Sequence, residues 1–178
     1  MDEILRDDAL LLALLNTTPV DGGTQVDELG EEQATAWLRS HGGTGSPAEA
    51  EHTRRVRDAL QNVVRGDADP ATLGRYLDGV SLVPSTRSGR ISWQLQAPAE
   101  RELAARAVIT WHEVDESLPG RLRPCGNSEC RRFLIDHSRG NRAQWCSMAV
   151  CGNRMKARRH YQRTREARSA DPAPTPPS

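Results

Sequence analysis

Aromatic side chains are scarce: one Phe, two Tyr and four Trp serve a chain of 178 residues. A core with so little aromatic volume is filled by Leu, Val and Ala, which favours packed helices over a β-sandwich. Lysine is nearly missing, with Lys156 the sole representative among 24 basic residues. With many Ala and Pro, that bias hints at a GC-rich bacterial genome. Long apolar runs are missing as well. Ala9–Leu15 is short and follows Asp7 and Asp8, where a signal peptide carries positive charge. Nothing approaches the ~20 apolar residues of a membrane-spanning helix. These absences predict a cytoplasmic protein without a membrane partner, whose cysteines stay reduced.

The motifs of several enzyme classes are incomplete. Trp111-His112-Glu113 begins an H-E-x-x-H zinc-protease signature, but position 116 is Glu. Gly42-Gly43-Thr44-Gly45 is glycine-rich, yet no Gly-Lys-Ser/Thr follows, so it reads as an interhelical loop. No Ser-His-Asp or Cys-His nucleophile set is visible. The chain is therefore not expected to be an enzyme.

The zero net charge hides a division. Residues 1–120 hold 11 basic and 20 acidic residues, a balance of −9, and residues 121–178 hold 13 and 4, a balance of +9. A basic module thus follows an acidic body. The basic end can attract a polyanion, or the acidic body can clasp it.

Periodicity predicts the elements of the body. Ile4, Leu5, Leu11, Leu12 and Leu15 place a helix over 3–15, ended by Asn16-Thr17-Thr18-Pro19. Asn16 and Thr17 read as its cap and turn. After a loop with Gly22-Gly23, a second helix covers 31–40. Ser46-Pro47 opens a third, reaching Arg65, with Ser as N-cap and Pro at its first position. Asp69-Pro70 opens a fourth, ending near Gly79. Ser81–Thr86 and Arg90–Gln96 alternate around Ser88-Gly89 as a β-hairpin, with Leu82, Ile91, Trp93 and Leu95 as its buried face. A helix over 99–117 follows, and Pro119-Gly120 breaks it. The proline-rich end, 167–178, is expected to be disordered. The expected class is α+β, mainly helical: a helical body with one β-hairpin over 1–119, then a small treble-clef-like four-cysteine finger with a basic helix over 120–166.

The cysteines fall as Cys125-x4-Cys130-x15-Cys146-x4-Cys151. Two close pairs allow two loops to give two sulfurs each to one tetrahedral Zn2+; a disulfide pair or four buried free thiols are the alternatives. Ser147 as N-cap puts Cys146 at N′ and Cys151 at N4, the neighbouring positions of a hydrophobic staple, so a metal there pins the helix start. Gly126-Asn127 supplies the turn returning Cys130 toward Cys125. Arg132–Asp136 and Ala143–Cys146 are expected to pair around Ser138–Asn141. Few large apolar residues are present, so a segment this small relies on metal to fold. Trp37, Trp93, Trp111 and Trp145 read as packing residues, with Trp145 also placed to stack on a base.

Beyond Met155 the following helix is basic nearly all round, with Arg154, Arg158 and Arg165 on one stripe and Lys156, Arg159 and Arg163 on another. Arginine forks match phosphate oxygens, so Arg154, Lys156, Arg158, Arg159 and Arg163 are candidate nucleic-acid contacts.

Cys146–Arg154, with Lys156 and Arg158-Arg159-His160, resembles the CGNR zinc-finger family, whose Cys-Gly-Asn-Arg motif stands here at 151–154. Arg123–Cys130, Phe133 and Asp136 resemble its upstream half. Leu11–Leu15 with Asn16-Thr17, Val26–Leu29 and Trp37-Leu38 resemble the ABATE domain that usually precedes this finger. The resemblance implies a bacterial stress-induced transcription regulator, with the finger as DNA-binding element. An acidic protein partner for the finger, or a small effector for the N-terminal domain, are the competing readings.

Overall fold

The computed structural model describes residues 6–169 apart from Ser88. Helix α1, Asp8–Leu15, starts where the Asp7 carboxylate accepts the Leu10 N–H at 2.9 Å. It therefore begins later than periodicity predicts, because Asp7 caps in a non-helical conformation. Residues 3–5, expected in its first turn, lie outside the described residues. Strands β1 (Val20–Asp21) and β2 (Thr24–Gln25) form a short ladder around Gly22 and Gly23, with φ of 55° and 89°. That left-handed pair is what a tight two-residue hairpin requires and what glycine permits. Helix α2 spans Glu31–Ser40. Helix α3, Pro47–Arg65, opens as expected: Ser46 Oγ accepts the Glu49 N–H at 3.1 Å and Pro47 occupies the first turn.

Residues Pro70–Leu77 form a 3-10 helix, not the α-helix expected there. Gly74 in its middle weakens α propensity. Strands β3 (Ser81–Arg87) and β4 (Arg90–Gln96) pair as the alternation predicts, with Leu82 opposite Leu95, Pro84 opposite Trp93 and Thr86 opposite Ile91. The expected burial of that face fails. Ile91 is 61% exposed and Trp93 36%, because the two strands pack mainly on each other and only β4 rests, lightly, on α4. Leu82 and Leu95, at its base, are only partly covered. Helix α4, Ala99–Ser117, then packs along α3.

The core lies between α1, α3 and α4. Leu11, Leu14, Leu15, Val56, Leu60, Ala107, Val108 and Val114 are buried there, each large side chain contributing about 1.5–3 kcal/mol. Arg57 is buried beside them. It grips both oxygens of Asp27, reaches Asp58 at 2.9 Å and donates to the Thr17 hydroxyl at 3.3 Å. Burial disfavours its charge, but the two carboxylates outweigh that and hold the guanidinium more firmly protonated than usual. Gln61 donates to Leu15 O and the Thr18 hydroxyl, both at 2.8 Å. The turns after α1 and β2 are thereby fastened to α3.

Strands β5 (Leu122–Pro124) and β6 (Phe133–Ile135) pair with each other. The sequence expectation paired the second of these segments with 143–146 instead, and that hairpin is absent. Phe133 and Ile135 face the core, which leaves β6 between β5 and α1. The Asn16 carboxamide completes its free edge: the Phe133 N–H donates to Asn16 Oδ1 at 2.7 Å, and Asn16 Nδ2 donates to Phe133 O at 3.3 Å. Asn16 is also the α1 cap, as expected. A π turn, Met148–Gly152, leads into α5, Asn153–Ser169, which continues three residues past the expected boundary at 166. Residues 170–178 of the expected tail lie outside the described residues. Among the described residues no helix is long and apolar enough to cross a membrane.

Candidate metal centre and basic helix

Cys125 follows β5 directly, and its N–H donates to Arg132 O at 2.8 Å, so the knuckle Cys125–Cys130 is carried at the tip of the β5–β6 hairpin. Asn127 turns the chain: its O accepts the Cys130 N–H at 2.8 Å and its Oδ1 accepts the Glu129 N–H at 3.2 Å. The second pair comes from the start of the helix. Ser147 caps as expected, accepting the Val150 N–H at 3.4 Å, with Cys146 just before the cap and Cys151 one turn in.

All four sulfurs lie within 4.8 Å of one another. Cys130 and Cys146 are 3.7 Å apart, and Cys146 and Cys151 3.8 Å. Four thiolates around one Zn2+ at about 2.3 Å have a tetrahedral edge of about 3.8 Å, so this donor set fits that ion. None of the four cysteines is in a disulfide. Burial and the neighbouring thiols raise Cys146 well above an ordinary thiol, and burial raises Cys130. Burial also works to raise Cys151, but hydrogen bonds from Asn127 and the other cysteines outweigh it and hold that thiol lower. Crowded sulfurs of this kind are relieved together by one shared cation.

Sequence reasoning assigned Gly126 to the turn. Its φ is not left-handed, and packing is what requires glycine there: a Cβ would sit 3.0 Å from Gln144 O and 3.2 Å from the Trp145 ring. At Gly152 a Cβ would meet the Met148 sulfur at 2.8 Å and Trp145 Cδ1 at 3.3 Å. Trp145 thus packs on the backbone of both cysteine pairs. Arg159 lies over it, 5.8 Å from the ring centroid, within cation–π range.

Three residues that the sequence marked only as turn or motif positions prove to be supports of the centre. Asn127 is fully buried and its Nδ2 lies 3.7 Å from Cys151 Sγ. Asp136, 1% exposed, accepts from the Ser138 and Ala143 N–H groups at 2.8 Å each and from Arg123 at 2.7 Å. The Ser138 hydrogen bonds lead, over opposing burial, in pulling its carboxyl down to about 2, with Ala143 and Arg123 adding to them. Arg123 also donates to Ala143 O at 2.6 Å. This clasp holds the 138–143 loop in place of the expected strand pairing. The recurrence of Cys-Gly-Asn at 125–127 and 151–153 is a legible pointer to the glycines and Asn127.

Residues 8–123 match the ABATE family, described as "putative stress-induced transcription regulator". The chain belongs to that family. Residues 121–164 match the CGNR zinc finger, so the cysteine cluster is the metal-binding centre of that finger. No individually curated protein shows significant similarity to the chain.

The basic helix of this ABATE protein is not clasped through the five expected contact residues. Arg154, Lys156, Arg158, Arg159 and Arg163 are all exposed, and none reaches Glu113, Asp115 or Glu116 on α4. Arg158 pairs with Glu129 of the finger itself at 2.6 Å. Arg154, Lys156, Arg159 and Arg163 have no carboxylate partner among the described residues. Arg121 and Arg123, by contrast, are spent on hydrogen bonds within the finger. In the ABATE body, Leu73, Leu77, Leu82, Val108 and Trp111 line an apolar groove of about 350 Å³.

Proposed function

We propose that Cys125, Cys130, Cys146 and Cys151 hold one Zn2+ and that this ABATE protein is a transcription regulator of the bacterial cytoplasm, binding DNA through α5. The centre is structural, not catalytic: four thiolates complete the tetrahedron and leave no position for water. The observation that carries the reading is the set of exposed cations on a helix pinned at its start, left without carboxylate partners. A helix with no apolar face either projects into solvent or lies against something charged, and cations without partners favour the second. Arginine on such a helix suits phosphate oxygens.

Anisotropy with duplex fragments tests this. Binding should weaken steeply with salt, and replacing Lys156 and Arg163 by Gln should lower affinity and flatten the slope of log K against log salt by about 1.8. No binding to any genomic fragment at about 50 mM salt sinks the proposal.

A second reading has its own observation. Met148 and Val150 are 55% and 53% exposed at the start of the helix, an apolar spot that suits a protein partner, and the cations beside it favour an acidic one. Retention of a partner after nuclease treatment of a pull-down, with no DNA bound, favours it. The effector expected of the N-terminal domain has a candidate seat in the apolar groove, and a raised unfolding midpoint with a small apolar molecule is the result that supports it.

A further inference from the structure

A cleft of about 900 Å³ separates the β1–β2 turn of the ABATE body from the zinc knuckle. Val20, Gly22 and Gly23 form one wall, Arg131 and Arg132 just after the knuckle and Arg154 from α5 border it elsewhere, and Cys130, Cys146 and Cys151 of the metal centre also line it. These three arginines come from two separate elements. None has a carboxylate partner among the described residues. The acidic group on the same rim, Glu129, is already paired with Arg158. Arg65 lies alongside, donating to Arg131 O at 3.5 Å, so the knuckle side carries a further cation. At the opposite wall the two glycines of the turn present bare backbone: a Cβ on Gly22 or Gly23 would meet nothing within 4 Å.

We propose that one strand of duplex DNA runs its phosphate backbone through this cleft, held by Arg131, Arg132 and Arg154, with the glycine turn of the ABATE body as the opposing wall. The inference rests on the reading of α5 as a DNA-binding helix and deepens it. The surface is composite, and the body takes part in it directly. Three guanidiniums outweigh the formal charge of −2 of a zinc tetrathiolate at the same cleft and leave it attractive to phosphates in a row, and the cleft continues onto α5 through Arg154. Clean glycine at the wall leaves room for a sugar–phosphate chain.

The test uses the full zinc-loaded chain, a labelled duplex and a salt series, with circular dichroism and zinc content as folding controls. Arg131→Gln with Arg132→Gln should weaken binding about tenfold or more near 0.1 M salt and flatten the salt slope by about 1.8. Val20 is 38% exposed, so Val20→Asp puts a carboxylate on the wall without disturbing the core. It should weaken binding, and Val20→Lys should strengthen it. Wild-type binding by the arginine variant, in a preparation where Lys156→Gln with Arg163→Gln binds poorly, overturns the cleft and leaves the helix reading standing. No binding by the wild-type chain overturns both. Binding of single-stranded RNA or an acidic peptide in preference to the duplex also overturns the cleft assignment.

Discussion

The ABATE body and the CGNR finger are held together by different physics. The body buries leucines between α1, α3 and α4, and its buried Arg57 is surrounded by partners. The finger has few apolar side chains and depends on directional contacts: four sulfurs, the Asp136–Arg123 clasp and Trp145 packed over two glycines. Apolar packing tolerates imprecision, whereas ligand and hydrogen-bond geometry does not. The division is not complete. Phe133 and Ile135 belong to the finger in sequence, yet they are buried in the core of the body. The finger is therefore a directional structure mounted on two apolar anchors.

Metal removal should separate the two regions most sharply. A strong chelator, or Cys151→Ser, is expected to abolish the ordered start of α5 and lower the helical circular dichroism signal, while α1, α3 and α4 stay folded. Simultaneous loss of the whole far-ultraviolet signal breaks the comparison. Phe133→Ala comes next. Its side chain is 1% exposed, so truncation should cost about 3–5 kcal/mol in urea unfolding of the body, although the residue lies in the finger. A change confined to the finger shows that the anchor is not shared.

Asp136→Asn sharpens the contrast through pH. The folded carboxyl titrates at about 2, below the ~3.9 of an unfolded Asp. The unfolded state takes the proton first, so the contribution to stability is complete above about pH 4 and is lost as pH falls toward 2. The variant should unfold at lower urea than the wild type at neutral pH, both zinc-saturated, and the gap should narrow below about pH 4. A gap independent of pH refutes the clasp. The smallest effect is expected at the open hairpin. Ile91→Ser, at a site 61% exposed, should stay within about 0.5 kcal/mol of wild type. A larger loss means that the face is covered in solution.

Much of the body was legible because its signals are local. Ser46-Pro47 marks the start of α3, and the breaks at Pro98 and Pro119 bracket α4, so both helices match expectation closely. The sulfur cluster was legible from spacing, and Ser147 from its place beside Cys146. The pairing of β6 was not. Strand alternation names a face but not a partner, and Phe133–Ile135 satisfies β5 and the Asn16 edge equally well. The exposure of Ile91 and Trp93 was hidden for the same reason: the pattern was read correctly, but nothing along the chain says how much of that face a helix covers.

Cysteine spacing, capping residues and the charge division thus determined by themselves that a metal-type cluster would open a basic helix after an acidic helical body. Tertiary structure alone decided which arginines are spent and which remain. Arg121 and Arg123 face backbone oxygens and Asp136, whereas Arg131, Arg132 and Arg154 border a cleft without carboxylate partners. All five look alike in sequence, because a guanidinium's role depends on the acceptors within about 3 Å of it, and those come from residues far away along the chain.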